Sequence, residues 1–360
     1  MITVLGATGY TGQLIINELA RLDLPTGGIC LAGRSQERLS ALAEKLPHPT
    51  QTAIVDLQDP NSLHQLPKST RLLINCAGPF TLFGEQVVQF AALNGIHYLD
   101  TTNELMYVYR MHSYDQLARK NRCAIVPACA FEVALADCAA AVLAQRAAHP
   151  LEKIEVTYAL SNSRSSPGTR QSAIHALGTG WLAYEERDWV GKAPCTKGKW
   201  GHFSGGKHRV ISFPSSETAT LPRHLQVNQI ETWMAVSRRL YPLARIFFPL
   251  AAGLARTPLR SFMLQASRLG SREIDPHAPF SLQVTTHTAQ GTHSMTLSGE
   301  GPYEITARIV VYAARRILES TSLPAGVLAP AQCLNPQDFL AYAEENWGVQ
   351  VHASSLPDER

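Results

Sequence analysis

Met1-Ile2-Thr3-Val4-Leu5-Gly6-Ala7-Thr8-Gly9-Tyr10-Thr11-Gly12 opens the chain. Ile2, Val4 and Leu5 read as a short apolar strand, and glycines follow at 6, 9 and 12. Behind them Leu14, Ile15 and Leu19 recur at helical spacing. Strand, glycine loop and helix in this order describe a dinucleotide site. Gly6 allows the tight turn off the strand, Gly9 lets backbone approach a pyrophosphate, and Gly12 lets helix and strand pack closely. The phosphates meet the positive helix N-terminus, so Gly6, Ala7, Thr8, Gly9, Tyr10, Thr11 and Gly12 are expected to bind the cofactor.

The second strand selects the nucleotide. An NAD site usually ends that strand on Asp or Glu, which accepts from the ribose 2′-hydroxyl. Here the run is Ile29-Cys30-Leu31-Ala32-Gly33-Arg34-Ser35. Arg34 can hold a 2′-phosphate bidentately and stack on adenine, while Ser35 offers a hydroxyl and caps the next helix. The expected cofactor is NADP(H). Arg38, one turn on, is a secondary contact or a solvated helix residue.

With 360 residues the chain is long enough for two domains. A net charge of +3 is too small to argue for nucleic acid. Seven cysteines at 30, 76, 123, 129, 138, 195 and 333 show no paired spacing, so neither a disulfide framework nor a metal site is expected. The first strand begins at Ile2, which leaves no room for a signal peptide, and a cytoplasmic location is the simplest expectation.

Strand and helix signals then alternate: a helix over 35–45, a strand over 52–55 ending at Asp56, a helix start at Asp59-Pro60, and a buried-type strand over 71–76. A helix over 85–94, a strand over 97–100, one long helix over 105–121 and a strand over 123–127 follow. This α/β alternation predicts a Rossmann-type, doubly wound parallel sheet with ligands beyond the carboxyl ends of its strands. Ala77-Gly78-Pro79 and Thr101 fall at such ends and are expected beside the nicotinamide ribose. Asp56 accepts from the adenine amino group or caps its own turn.

Past a helix over 133–147 the regularity breaks. Strands over 153–160 and 207–213 and a hairpin over 280–298 turning at Gln290-Gly291 predict a second α+β domain on a mixed or antiparallel sheet. The Gly-, Lys- and Trp-rich stretch 190–206 reads as a long loop or lid. A helix over 303–319 follows the hairpin, and Asn335-Pro336 starts a last helix with an Asn cap. The expected domains are 1–134 for NADP(H) and 135–321 for substrate or dimerisation, with 322–352 packing back on the first.

Residues 240–255, Leu240-Tyr241-Pro242-Leu243-Ala244-Arg245-Ile246-Phe247-Phe248-Pro249-Leu250-Ala251-Ala252-Gly253-Leu254-Ala255, are strongly apolar and flanked by Arg238, Arg239, Arg256 and Arg260. Spanning a bilayer needs about 20 such residues. Burial beside a substrate pocket or in a homodimer interface is the commoner outcome for such a segment. The competing one is peripheral contact with a membrane. Either points to an apolar substrate.

Four blocks in order, Gly6 to Gly12, Ala32-Gly33-Arg34-Ser35, Asn75-Cys76-Ala77-Gly78-Pro79-Phe80 and Tyr98-Leu99-Asp100-Thr101-Thr102-Asn103-Glu104, resemble the saccharopine dehydrogenase-like oxidoreductases, in the branch with the trans-acting enoyl reductases. Ser165 to Ser172, Gly301 to Ala307 and Pro324 to Ala331 are similar to later blocks of that family. The chain departs from it at Ala130-Phe131-Glu132-Val133-Ala134-Leu135-Ala136-Asp137, where the family commonly has Gly-Phe-Asp running on to Pro-Ser-Asp.

The resemblance implies an NADP(H)-dependent oxidoreductase reducing an activated C=C bond of an apolar small molecule or acyl group. C=O or C=N reduction is the runner-up, and a non-catalytic NADP(H)-binding sensor the competitor from another class. Hydride transfer needs a proton source. Tyr10, Asn103, Glu104, Glu132, Asp137 and His175 are candidates, with Glu132, His175 and Tyr10 foremost.

Overall fold

The computed structural model describes residues 1–21, 28–147, 149–160, 165–193, 195–203, 206–268 and 274–356. The chain divides into two compact units. One holds Met1–Thr102, Arg110–Phe131 and Tyr303–Leu334; the other holds Asn103–Tyr109, Glu132–Pro302 and Asn335–Arg360.

Chain order begins β1 (Ile2–Leu5), α1 (Tyr10–Ala20), β2 (Ile29–Gly33), α2 (Gln36–Ala43), β3 (Thr50–Ile54), β4 (Leu72–Asn75), α3 (Phe80–Leu93) and β5 (His97–Asp100). It continues α4 (Leu105–Met111), α5 (Asp115–Lys120), β6 (Ala124–Val126), α6 (Phe131–Arg146), β7 (Leu151–Leu160), α7 (Pro167–Thr179), β8 (Trp181–Glu185), β9 (Asp188–Lys192), β10 (Gly198–Phe203) and β11 (Gly206–Ser212). The remainder is α8 (Glu217–Thr220), β12 (Val227–Val236), α9 (Tyr241–Ala255), α10 (Arg260–Arg268), β13 (Pro279–Thr288), β14 (Gly291–Glu300), α11 (Pro302–Glu319), β15 (Gly326–Val327), α12 (Pro330–Leu334), α13 (Pro336–Trp347) and β16 (Gln350–Leu356).

The first unit is built on a parallel sheet ordered β15-β6-β5-β4-β1-β2-β3. Ile2, Val4, Leu5, Leu31, Ile74 and Leu99 are fully buried in it, each worth about 2 kcal/mol in removed apolar surface. Register aligns Leu5 with Ala32 and with Asn75, and Asn75 with Asp100, so the carboxyl ends of four strands stand level. Strand order reverses between β1 and β4, which makes their carboxyl ends the switch point where such sheets take ligands.

The second unit carries a sheet ordered β10-β11-β12-β7-β13-β14-β16, with β8 and β9 attached to β12. Among the described residues, only the β7 and β12 pair of this sheet is parallel. The hairpin of β13 and β14 turns at Ala289-Gln290, one residue before the Gln290-Gly291 expected, with Gly291 already paired to Thr288.

Several expectations are corrected. The stretch 190–206 is not a lid: among the described residues β9 pairs with β8, and β10 pairs with β11 from Gly198 to Phe203. Cross-strand bonds hold a segment whose glycines hide the period of two; residues 194, 204 and 205 lie outside the description. The long helix over 105–121 is broken at His112–Tyr114 by a 3₁₀ turn. The returning segment divides. β15 pairs with β6, and α11, expected in the second domain, belongs to the first unit. α13 and β16 belong to the second, where β16 pairs with β14. Asn335 occupies the N-cap position of α13, with a positive φ of 53°, but its side chain makes no capping bond and Nδ2 donates instead to Asp338 Oδ2. Residues 240–255 are not buried as a whole. Ala244, Ala251, Ala252 and Ala255 face inward, while Leu243, Ile246, Phe247 and Leu250 are exposed.

Candidate functional site

The glycine loop meets the turn after β4. Gly6 has φ of 79°, and a Cβ there would stand 2.9 Å from the Ala77 nitrogen and the Cys76 carbonyl carbon. A Cβ on Gly12 would collide with the Gly6 carbonyl oxygen and lie 3.1 Å from Ala7 Cα. Both neighbours are backbone, so neither can yield, and only glycine fits. Gly9 is the N-cap residue of α1 and donates no side-chain bond, leaving the first-turn N–H groups from Tyr10, Thr11 and Gly12 without intrahelical acceptors. Such N–H groups at a helix N-terminus are what an anion would meet.

Ala7 is fully buried. The Thr8 carbonyl accepts from Gln13 Nε2 and Arg38 Nη2, each at 3.0 Å, so Arg38 braces the loop. Arg34 directly follows β2 and is exposed; Ser35 caps α2, its Oγ accepting from the Arg38 N–H at 3.4 Å. Asp56 Oδ1 accepts from the Gln58 N–H at 3.1 Å, which realises the turn-capping alternative.

A buried chain of hydrogen bonds fixes the carboxyl ends of β4 and β5. The Ala77 N–H donates to Asn75 Oδ1 at 2.9 Å, Asn75 Nδ2 donates to Tyr98 Oη at 3.1 Å, and Tyr98 Oη donates to Asp100 Oδ2 at 2.9 Å. Asp100 Oδ1 accepts from the N–H groups of Thr102 and Ala128 at 3.1 and 2.8 Å. This network sets the backbone at Ala77-Gly78-Pro79 and around Thr101. Pro79 is the N-cap residue of α3, Gly78 is exposed and Thr101 half-buried.

The Tyr10 side chain is tied to the first turn of α11. Its Oη donates to Glu304 Oε1 at 3.4 Å, and its ring meets Tyr303 edge-on with centroids 5.2 Å apart. Burial, with the Glu304 charge, pushes its pKa up to about 12, so it is a hydrogen-bond donor and not an ionised group.

The second unit gathers a dense set of acids. Asn103 and Glu132 are the first residues of this unit after Thr102 and Phe131. Asn103 Oδ1 accepts from Ser215 Oγ at 3.1 Å and the Ser216 N–H at 2.8 Å, and Asn103 hydrogen-bonds Glu132. Tyr158 Oη, 3.3 Å from Ser215 Oγ, donates to Glu217 Oε1. Glu217 Oε2 is buried without a partner among the described residues. Asp137 Oδ1 accepts from Thr220 Oγ1 at 2.9 Å and faces His224 Nε2 at 3.2 Å.

Dehydration dominates here. Burial raises the carboxyl pKa of Glu132 to about 7, helped by the charge of Glu217. Burial likewise raises Glu217 to about 7 against the hydrogen bonds from Ser215 and Tyr158, with Asp137 adding to the rise. Tyr158 is pushed well above its usual value by burial and by Glu217. Two carboxylic acids thus hold their protons near neutral pH, beside a tyrosine that stays protonated.

His175 is buried on α7, whose first turn Ser166 caps through Thr169 N–H at 3.0 Å. Burial lowers its pKa, with Arg260 assisting and Glu104 opposing, so it is neutral at physiological pH. Its charged neighbours, Arg260 and Glu104, are not the Glu217 whose charge acts on Glu132. Sequence reading missed Ser215, Ser216, Glu217 and Tyr158. Ser215-Ser216-Glu217-Thr218 looks like a polar loop, yet all four residues are buried. The only hint is a carboxylate between two strands without a basic neighbour. Thr218 also lines a cavity walled by Trp181, Phe213, Ile230 and Trp233.

Residues 2–126 match the saccharopine dehydrogenase NADP-binding domain. A saccharopine dehydrogenase-like oxidoreductase of Arabidopsis thaliana is 36% identical over 141 residues, 36% of this chain and 31% of that protein. A trans-acting enoyl reductase of Mycobacterium ulcerans is 34% identical over 151 residues, 41% of this chain and 36% of that one. The match thus spans about a third of each relative's length. The yeast saccharopine dehydrogenase (L-Glu forming) of Saccharomyces cerevisiae shares the fold, with a TM-score of 0.65 over 99% of both chains at 12% identity. Residues 2–126 thus carry the saccharopine dehydrogenase NADP-binding domain, and over that stretch the chain is similar to saccharopine dehydrogenase-like oxidoreductases.

Proposed function

We propose that the protein is an NADPH-dependent reductase acting on the C=C bond of an apolar small molecule or acyl group. The observation that carries the reading is the acid cluster of the second unit, where Glu132 and Glu217 keep protons to about pH 7. NADPH, when bound, supplies the hydride. Gly6 to Gly12 hold its pyrophosphate, Arg34 and Ser35 its 2′-phosphate, and the backbone at Ala77 to Pro79 and Thr101 the nicotinamide ribose.

Reduction of a polarised C=C bond leaves a carbanion that must take a proton. Glu132 and Glu217 are the acids matched to that task, and Glu217 Oε2, free of other partners among the described residues, is the oxygen that holds the transferable proton. Tyr158 and Ser215 orient the opposite oxygen of Glu217, and Asn103 orients Glu132. The enoyl reductase relative supports an enoyl-type substrate, and the cavity beside Thr218 offers the apolar walls of Trp181, Phe213, Ile230 and Trp233 together with the charged Glu185, Lys192, Lys197 and Glu231. Seven free cysteines support a reducing, cytoplasmic setting.

The test is loss of NADPH absorbance with α,β-unsaturated thioesters, enones, ketones and imines. Oxidation with the unsaturated compounds, yielding saturated product, is the expected result. Turnover confined to ketones or imines would move the reaction to C=O or C=N reduction. NADPH that binds but is never oxidised would mark a sensor.

A further inference from the structure

Helices α9 and α10 turn the usual amphipathic arrangement inside out. Small residues face the fold: Ala244 packs with Cys195 and Ile211, and Gly178 of α7 approaches so closely that a Cβ on it would stand 2.9 Å from the Ala255 carbonyl oxygen. The large residues face outward. Leu243 is 60% exposed, Ile246 69%, Phe247 57% and Leu250 59%, and Leu259 and Phe262 continue the patch at 55% and 69%. Monomeric proteins seldom leave so many large apolar side chains contiguous and wet.

Charge accompanies them. Residues 237–268 contain six arginines and no aspartate or glutamate. Arg238, Arg239, Arg256 and Arg260 are exposed around the apolar face. We propose that this face docks the protein on an anionic phospholipid surface, its leucines and phenylalanines entering the boundary between headgroups and acyl chains and its arginines pairing with headgroup phosphates and carboxylates. The fifteen residues of α9 fall short of the roughly 20 that span a bilayer, so the helix lies in the plane. A second copy of the chain fits less well. A two-fold contact sets the patch against itself and would bring two acid-free arginine sets together.

The experiment sediments the full-length protein with vesicles of phosphatidylcholine alone and with equimolar phosphatidylcholine and phosphatidylserine, at low and high salt. Pelleting with the anionic vesicles and release by salt are expected. Ile246→Ser with Phe247→Ser should abolish it. Arg238→Glu with Arg239→Glu should weaken it on the order of tenfold or more. An unchanged thermal midpoint and unchanged NADPH titration show that each variant is folded. The proposal is overturned if the protein stays in the supernatant with anionic vesicles, or if both variants pellet like the parent. It is also overturned if the serine pair dissociates a dimer while vesicles bind nothing.

Discussion

Arg34 stands at the end of β2 where a carboxylate would choose NAD, and its exposure leaves the guanidinium open to a 2′-phosphate. Arg34→Asp should weaken NADPH by on the order of a hundredfold, the worth of a charge-assisted pair, and NADH little. Fluorescence titration of both cofactors measures it, and equal losses would refute the role. Glu217 is the opposite kind of residue. Glu217→Gln keeps the acceptor for Tyr158 but cannot donate an acidic proton, so kcat should fall by about 100-fold or more while the NADPH dissociation constant holds. In the parent, kcat should fall as pH rises through about 7, where the two acids ionise. Arg34 could be singled out in the sequence because the role expected of it comes from its distance to a local motif. Glu217 was not, because its acidity depends on burial under Tyr158, 59 residues away, and beside Asp137.

Among the elements, β1, the glycine loop and α1 show how tightly local sequence can fix geometry. Gly12→Ala would drive a methyl into the Gly6 carbonyl and Ala7 Cα, forcing α1 off β1. Overpacking of this kind costs about 1–3 kcal/mol, so the melting temperature should drop by several degrees and NADPH binding should be lost. A variant that melts and binds like the parent would remove the packing argument. The alternating strands and helices up to β6 announce themselves through buried runs and caps such as Asp59, whose Oδ1 accepts from the Asn61 N–H at 3.0 Å. β10 does not, since its Gly-Lys-Trp-Gly-His-Phe sequence has no apolar alternation and owes its form to β11. α9 was ambiguous for a different reason. Both of its faces are apolar, and only three-dimensional packing shows that the alanine side goes in.

At the scale of the whole molecule, the raised acids couple stability to pH. Glu132 and Glu217 bind protons in the folded state up to about pH 7, whereas unfolded carboxyls release them near 4.5. The folded state therefore holds more protons between those values, and its stability is full below the lower one and declines as pH rises through the upper. For fully buried Glu217 the loss is about 3 kcal/mol. Urea denaturation at about pH 5 and about pH 8 should show the parent weakening and Glu217→Gln weakening less. Identical pH dependence would deny the burial cost.

Neither unit is one stretch of chain: the boundaries after Thr102, Tyr109, Phe131, Pro302 and Leu334 stitch them together. A gene fragment cut after the sixth strand would contain every motif that announces the nucleotide site, and it would still lack β15, the strand that borders β6. Its exposed backbone edge would invite copies of the fragment to zip together. Anyone transplanting this cofactor module onto another scaffold must graft residues 303–334 as well, and the second unit cannot be exchanged by a single crossover.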